Sequence, residues 1–239
     1  MPSANPDLHG NAPDKSPVAL LLIDVINDLE FPEGDQLLRF AEPMARQIAI
    51  LKQRARQASI PAIYVNDNFG RWKSDFRRTV DHCARHGRGR DVVKLLRPEG
   101  SDYFVLKPKH SGFFSTTLDT LLRYLQTQTL ILTGIAGNFC VLFTANDAYM
   151  RDFNLFVPRD CIVSNTKKEN ESALRLMQKF LKADTRSSSR IMLCPLQRKS
   201  PKISSSLRLV TSGAARKVRI PKVVRLNGLK KLAKERASR

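Results

Sequence analysis

Three residues in this sequence stand where short apolar runs give way to polar ones: Asp24, Lys107 and Cys140. A carboxylate, an ammonium and a thiol form a set suited to nucleophilic chemistry. The thiol attacks once it has lost its proton, the carboxylate takes that proton and returns it to a leaving group, and the ammonium favours the thiolate. Cys140 lies between GIAGNF and the apolar stretch VLFTANDAY, which places it in the first turn of a helix. The helix dipole and unpaired N–H groups there are expected to lower its pKa from about 8.5 toward neutrality. Backbone N–H groups around Ala136 and Cys140 would bind an oxyanion. Taken singly, each residue has a plain structural explanation: a turn aspartate, a solvated lysine, a packed cysteine. Only the joint placement favours chemistry.

A parallel sheet would bring these distant residues together. Residues 18–23 (VALLLI) are wholly apolar and end at Asp24, the pattern of a strand buried on both faces. Similar runs at 62–65, 103–106, 129–132 and 155–157 end in Asn66-Asp67, Lys107, Thr133-Gly134 and Pro158. Between them, apolar residues recur at helical spacing over 37–58, 118–125, 140–150 and 172–181. The alternation predicts an α/β fold: a three-layer doubly wound sheet, mostly parallel, of about six strands with helices on both faces. Ligands of such sheets bind outside the carboxyl ends of the strands, where the three residues stand. Residues 68–90 break the rhythm and read as a long functional loop or a short irregular helix pair.

The chain of 239 residues, 42% hydrophobic, has room for one sizeable core. Four cysteines without a CxxC pair suggest neither a disulfide framework nor a zinc site. The net charge of +19 is uneven: residues 186–239 hold 16 Lys/Arg against one acid, and the remainder holds 25 against 21. The expected organisation is an N-terminal extension over 1–16, a catalytic domain over 17–184 and a basic, disordered tail over 185–239. The tail's charge would attract nucleic acid in a salt-dependent way. It lacks interleaved aromatics, so a solubilising extension or coding sequence foreign to the domain is the favoured reading. Without a signal peptide or an apolar run of membrane-spanning length, a cytoplasmic protein is expected.

The segments ALLLIDVINDLE, KPKHSGFFSTTLDTLL and LTGIAGNFCVLFTANDAYMRDFNLFVPRDC resemble the signature blocks of isochorismatase-like cysteine hydrolases, and the likeness runs over about residues 17–183. The resemblance implies a catalytic triad whose acid, lysine and nucleophile fall on Asp24, Lys107 and Cys140. It implies a thioester route for cleaving the C–N bond of a small amide, ureido or related molecule, a homo-oligomer (dimer or tetramer), and a cis peptide between Ile135 and Ala136 at the oxyanion donors. Nicotinamidases of the fold carry an Asp/His metal cluster after the second strand. This sequence reads YVNDNFGRWKSDFRR there, so no catalytic metal is expected, and no cofactor is implied. True isochorismatases commonly lack the cysteine, and Cys140 argues against their vinyl ether chemistry as the alternative activity. A scaffold with a nucleic-acid-binding tail is the non-enzymatic alternative. Many relatives have Thr where Gly137 stands, so a hydroxyl contact in that loop is expected to be missing.

Phe69, Trp72 and Phe113, with Phe114, are candidate pocket walls. Arg71, Lys73, Arg77 and Arg78 would suit a carboxylate but read equally as a solvated face. His82, His86 and His110 form no metal motif. Cys83, Cys161 and Cys194 read as small apolar fillers or exposed thiols.

Overall fold

The computed structural model describes residues 15–70 and 75–193. In chain order these form β1 (Val18–Ile23), α1 (Gly34–Gln57), β2 (Ala62–Asp67), α2 (Phe76–Arg85), α3 (Arg90–Leu95), β3 (Tyr103–Lys107) and α4 (Leu118–Leu125). Then follow β4 (Thr129–Ile135), a π-helical turn over Gly137–Val141, α5 (Leu142–Tyr149), β5 (Asn154–Phe156), β6 (Ile162–Val163) and α6 (Lys167–Phe180). The strands form a parallel sheet in the order β3-β2-β1-β4-β5, with β6 also paired to β4.

The central strand shows why this sequence makes three layers. Its alternate residues feed two cores, because successive side chains of a strand point to opposite faces. Leu20 and Leu22 pack with apolar residues of α1, α2 and α3. Ala19, Leu21 and Ile23 pack with α4, α5 and α6. A strand covered on both faces needs no polar positions, and β1 has none. At its carboxyl end β4 comes so close that a Cβ on Gly134, whose φ is +115°, would lie 2.0 Å from the Ile23 carbonyl oxygen. Only glycine fits there.

The register lines up the carboxyl ends. Ile23 lies beside Val65 and Gly134, and Asp67 beside Lys107, so Asp24, which follows β1, and the polar residues that end β2 and β3 meet at one edge.

Several expectations need correcting. Within 68–90 lies a regular helix, α2, capped by the Asp75 side chain accepting from Arg78 N at 2.8 Å. Its core-facing residues, Phe76, Val80 and Cys83, are too few among arginines and histidines to show a clear period. α6 starts at Lys167 rather than at 172 because a Thr166–Glu169 capping box starts it ahead of its apolar residues. Residues 185–193, expected in a disordered tail, are folded against the domain. Asp160 accepts from the Ser188 amide and hydroxyl, both at 2.8 Å. Arg54 donates to the Ser188 carbonyl at 2.8 Å, and Ile191 is buried in the core. These anchors lie far back in sequence, so the strap's own basic composition conceals them. The rest of the tail reading, Cys194 and Trp72 lie outside the described residues. Among those described, no helix is long and apolar enough to cross a membrane.

Candidate active site

Asp24 follows β1 with φ +50°, a conformation that aspartate tolerates better than most residues. It is held there by its amide, which donates to the Val65 carbonyl at 3.0 Å. The loop that follows is latched to β2 by Asn66, whose side chain accepts from Ile26 N at 3.1 Å and donates to Ile26 O at 3.0 Å. These bonds fix the Asp24 carboxylate over the sheet edge.

Lys107 ends β3 and is fully buried. Its ammonium lies 2.9 Å from Asp24 Oδ2, 3.2 Å from the Lys109 carbonyl, 3.5 Å from Asp67 Oδ2 and 3.6 Å from Cys140 Sγ. The Asp24 carboxylate also acts on the Cys140 thiol. The structure therefore brings Asp24 and Cys140 together on the Lys107 ammonium.

The cysteine arrives by a different route from the one anticipated. The Ile135–Ala136 peptide is cis, and the chain then makes a π-helical turn in which Phe139 N and Val141 N both donate to the Ala136 carbonyl. Cys140 thus sits in that turn, ahead of α5, and not in the first turn of an α-helix. Thr144 Oγ1 donates to the Cys140 carbonyl at 2.7 Å and accepts from Gly112 N at 3.0 Å, tying the turn to the segment after β3.

This setting overturns the expected lowering of the thiol pKa. Burial pushes Cys140 up to about 12, the Asp24 carboxylate adds to the shift, and Lys107 offsets only part of it. Burial also raises Asp24 above the ordinary carboxylate range despite Lys107. For Lys107 burial opposes the charge, but Asp24, Cys140 and Asp67 outweigh it and the ammonium is raised. Cys140 is thus held as the protonated thiol at neutral pH.

Gly137 does not leave its loop without a hydroxyl. Ser164, just past β6, accepts from Asn138 N at 3.0 Å and donates to Asn170 Oδ1 at 3.2 Å. A Cβ on Gly137 would lie 2.4 Å from that same Asn170 oxygen. The hydroxyl comes from a residue distant in sequence, and glycine makes room for it. Ser164 and Asp67 are the two site residues that sequence reasoning missed. Asp67 carried a signal, being one of the polar residues that end the apolar runs; Ser164 carried none.

Phe113 is buried against Phe153 and beneath Arg151, a core position and not a wall of open space. Phe69 is partly exposed just after Asp67, and Phe114 is exposed. Phe139 stands exposed next to the thiol with the His110 ring on it at 4.0 Å. Arg77 and Arg78 are exposed on α2. His82 lies 3.6 Å from Asp28 and against His86.

Asp67 is committed to Lys107 and to the Phe69 amide. Among the described residues no three His, Cys, Asp or Glu side chains converge to hold an ion.

A family model described as the isochorismatase domain matches residues 18–187. The chain belongs to the isochorismatase family. Within this family of hydrolases, the uncharacterized isochorismatase family protein YaaI of Bacillus subtilis is 44% identical over 178 residues, 74% of this chain and 98% of that protein. The ureidoacrylate amidohydrolase RutB of Methylorubrum extorquens is 39% identical over 90 residues, 37% of this chain and 36% of RutB. Among solved structures, the N-carbamoylsarcosine amidase of Thermoplasma acidophilum shares the fold with a TM-score of 0.56 at 24% identity, over 74% of this chain and 99% of that chain.

Proposed function

We propose that the chain is a metal-independent cysteine hydrolase that cleaves the C–N bond of a small amide, ureido or related substrate through a thioester. The observation that carries this reading is the buried Lys107 ammonium, which touches both the Asp24 carboxylate and the Cys140 sulfur. The amidohydrolase relatives support the substrate class.

As the sulfur attacks the substrate carbonyl carbon, its proton passes to Asp24, and Lys107 compensates the charge left in the buried pair. The carbonyl oxygen becomes an oxyanion held by the N–H groups of Ala136 and Cys140. When the C–N bond breaks, Asp24 gives its proton to the departing nitrogen. Water then attacks the thioester and gives one proton to Asp24. The acid is released and that proton returns to sulfur. Because the resting thiol is protonated, transfer must accompany attack, and Asp24 must be ionised to begin it. In the same reading the working form is a homo-oligomer, dimer or tetramer.

The test is a panel of primary amides, ureido acids and isochorismate offered to the wild type and to Cys140→Ala, with ammonia and pyruvate followed. Ammonia released by the wild type and lost in the variant is the expected result. Pyruvate released equally by both would overturn the reading in favour of vinyl ether hydrolysis.

A further inference from the structure

We infer that Asp67 is a positioning residue of this site: a second carboxylate on Lys107 that draws part of the ammonium's attraction away from the Cys140 sulfur and ties that lysine to the loop carrying Phe69. The inference rests on Lys107 and Cys140 being the catalytic pair proposed above.

An ammonium has three N–H groups to give, and Lys107 has four acceptors around it. Asp24 and the Lys109 carbonyl are the nearest at 2.9 and 3.2 Å. Asp67 Oδ2 at 3.5 Å and Cys140 Sγ at 3.6 Å are left to compete for what remains. Two features keep Asp67 in that competition. Its backbone N–H donates to Asp24 Oδ1 at 2.6 Å, which locks the residue to the other carboxylate. Its Oδ1 accepts from Phe69 N at 2.6 Å, so the carboxylate cannot swing away without releasing the turn in which Phe69 and Gly70 both take positive φ.

The three charged side chains also differ in burial. Lys107 is sealed, Asp24 nearly so, and Asp67 is 32% exposed. Asp67 is therefore the charge at the site that solvent and an entering molecule reach first. The other titratable groups near the sulfur are Asp24 and, beyond the Phe139 ring, His110. Neither occupies the place of Asp67 beside the ammonium.

Removing the charge while keeping the size should let Lys107 act more fully on sulfur. The test is the rate at which iodoacetamide alkylates Cys140 in the full chain, read by mass spectrometry of the Cys140 peptide between about pH 7 and 9. Asp67→Asn is expected to raise that rate about tenfold, the equivalent of one pKa unit, with Asp67→Glu staying within about twofold of wild type. Should Asp67→Asn fail to fold, Asp67→Ser carries the same comparison. A neutral variant that reacts like wild type overturns the inference. So does an equal rise in the neutral and Asp67→Glu variants, which would make the effect one of loop geometry and not of charge. Alkylation needs no substrate, so the result stands apart from whether the amide panel shows turnover.

Discussion

Two buried lysines lie at opposite ends of the same sheet. Lys52 reaches from α1 to the amino ends of β2 and β3, where its ammonium meets Asp102 at 2.6 Å, the Tyr64 hydroxyl at 3.0 Å and the Arg97 carbonyl at 3.4 Å. Tyr64 in turn donates to the Leu96 carbonyl at 2.8 Å. Lys107, at the carboxyl ends, meets two carboxylates, a carbonyl and a thiol. Both are ion pairs withdrawn from water, so burial and pairing alone do not distinguish a catalytic site. The thiol does. At the Lys52 end the described partners close a structural joint between α1 and the segment leading into β3; at the Lys107 end one partner is a thiol, a far stronger nucleophile than a phenol once its proton is lost.

The sharpest break between the two ends should come from Cys140→Ala. Turnover should fall by at least about a thousandfold, as when other activated nucleophiles are removed, while the melting temperature stays close to wild type because the side chain is small. Paired lysine variants come next. Lys107→Met and Lys52→Met each strand a buried carboxylate, and each should cost about 3–5 kcal/mol of stability by denaturant titration. Only Lys107→Met should also lower turnover of the folded fraction, by about a hundredfold or more. Equal turnover losses in the two would erase the distinction.

The pH profile separates the ends further. The acid limb of kcat/KM should titrate above the ordinary carboxylate range, because Asp24 must be ionised to accept the thiol proton and burial raises its pKa. Lys52→Met should leave that limb in place. On the alkaline side Cys140 and the core residue Cys161 are both pushed up to about 12, from 9.0. The unfolded chain loses these protons first, so stability present below pH 9 should decline as pH rises toward 12. Melting curves over that window should show the decline, and Cys161→Ala should flatten part of it. The smallest effect expected is that of Ser164→Ala, about 1 kcal/mol for one lost hydroxyl contact to Asn138 N, with a modest fall in turnover as the loop before the thiol loosens.

The frame was legible because β1 is apolar throughout and the runs that form β2 and β3 end in Asp67 and Lys107. That pattern follows from a parallel sheet sealed on both faces with its functional edge at the carboxyl ends. Asp24 and Lys107 could be picked out for the same reason. The local state of Cys140 could not: the π-helical turn and the pressure of Asp24 on the thiol depend on groups brought in from other strands. α6 showed its capping box in Thr166 and Glu169, yet its polar first turn hid the start from a search for apolar spacing. Ser164 had no local signature, since its partner amide at Asn138 comes from a different strand end. Phe113 follows Lys107 closely in sequence and still lies in the core beside Phe153.

The covalent step is the centre of this account. Wild-type protein mixed with a substrate from the amide and ureido panel, quenched in acid within the first turnover and weighed intact, should carry an acyl group that maps to Cys140, with the leaving amine already released. Ammonia release at the wild-type rate from Cys140→Ala, with no adduct on the wild type, would contradict it.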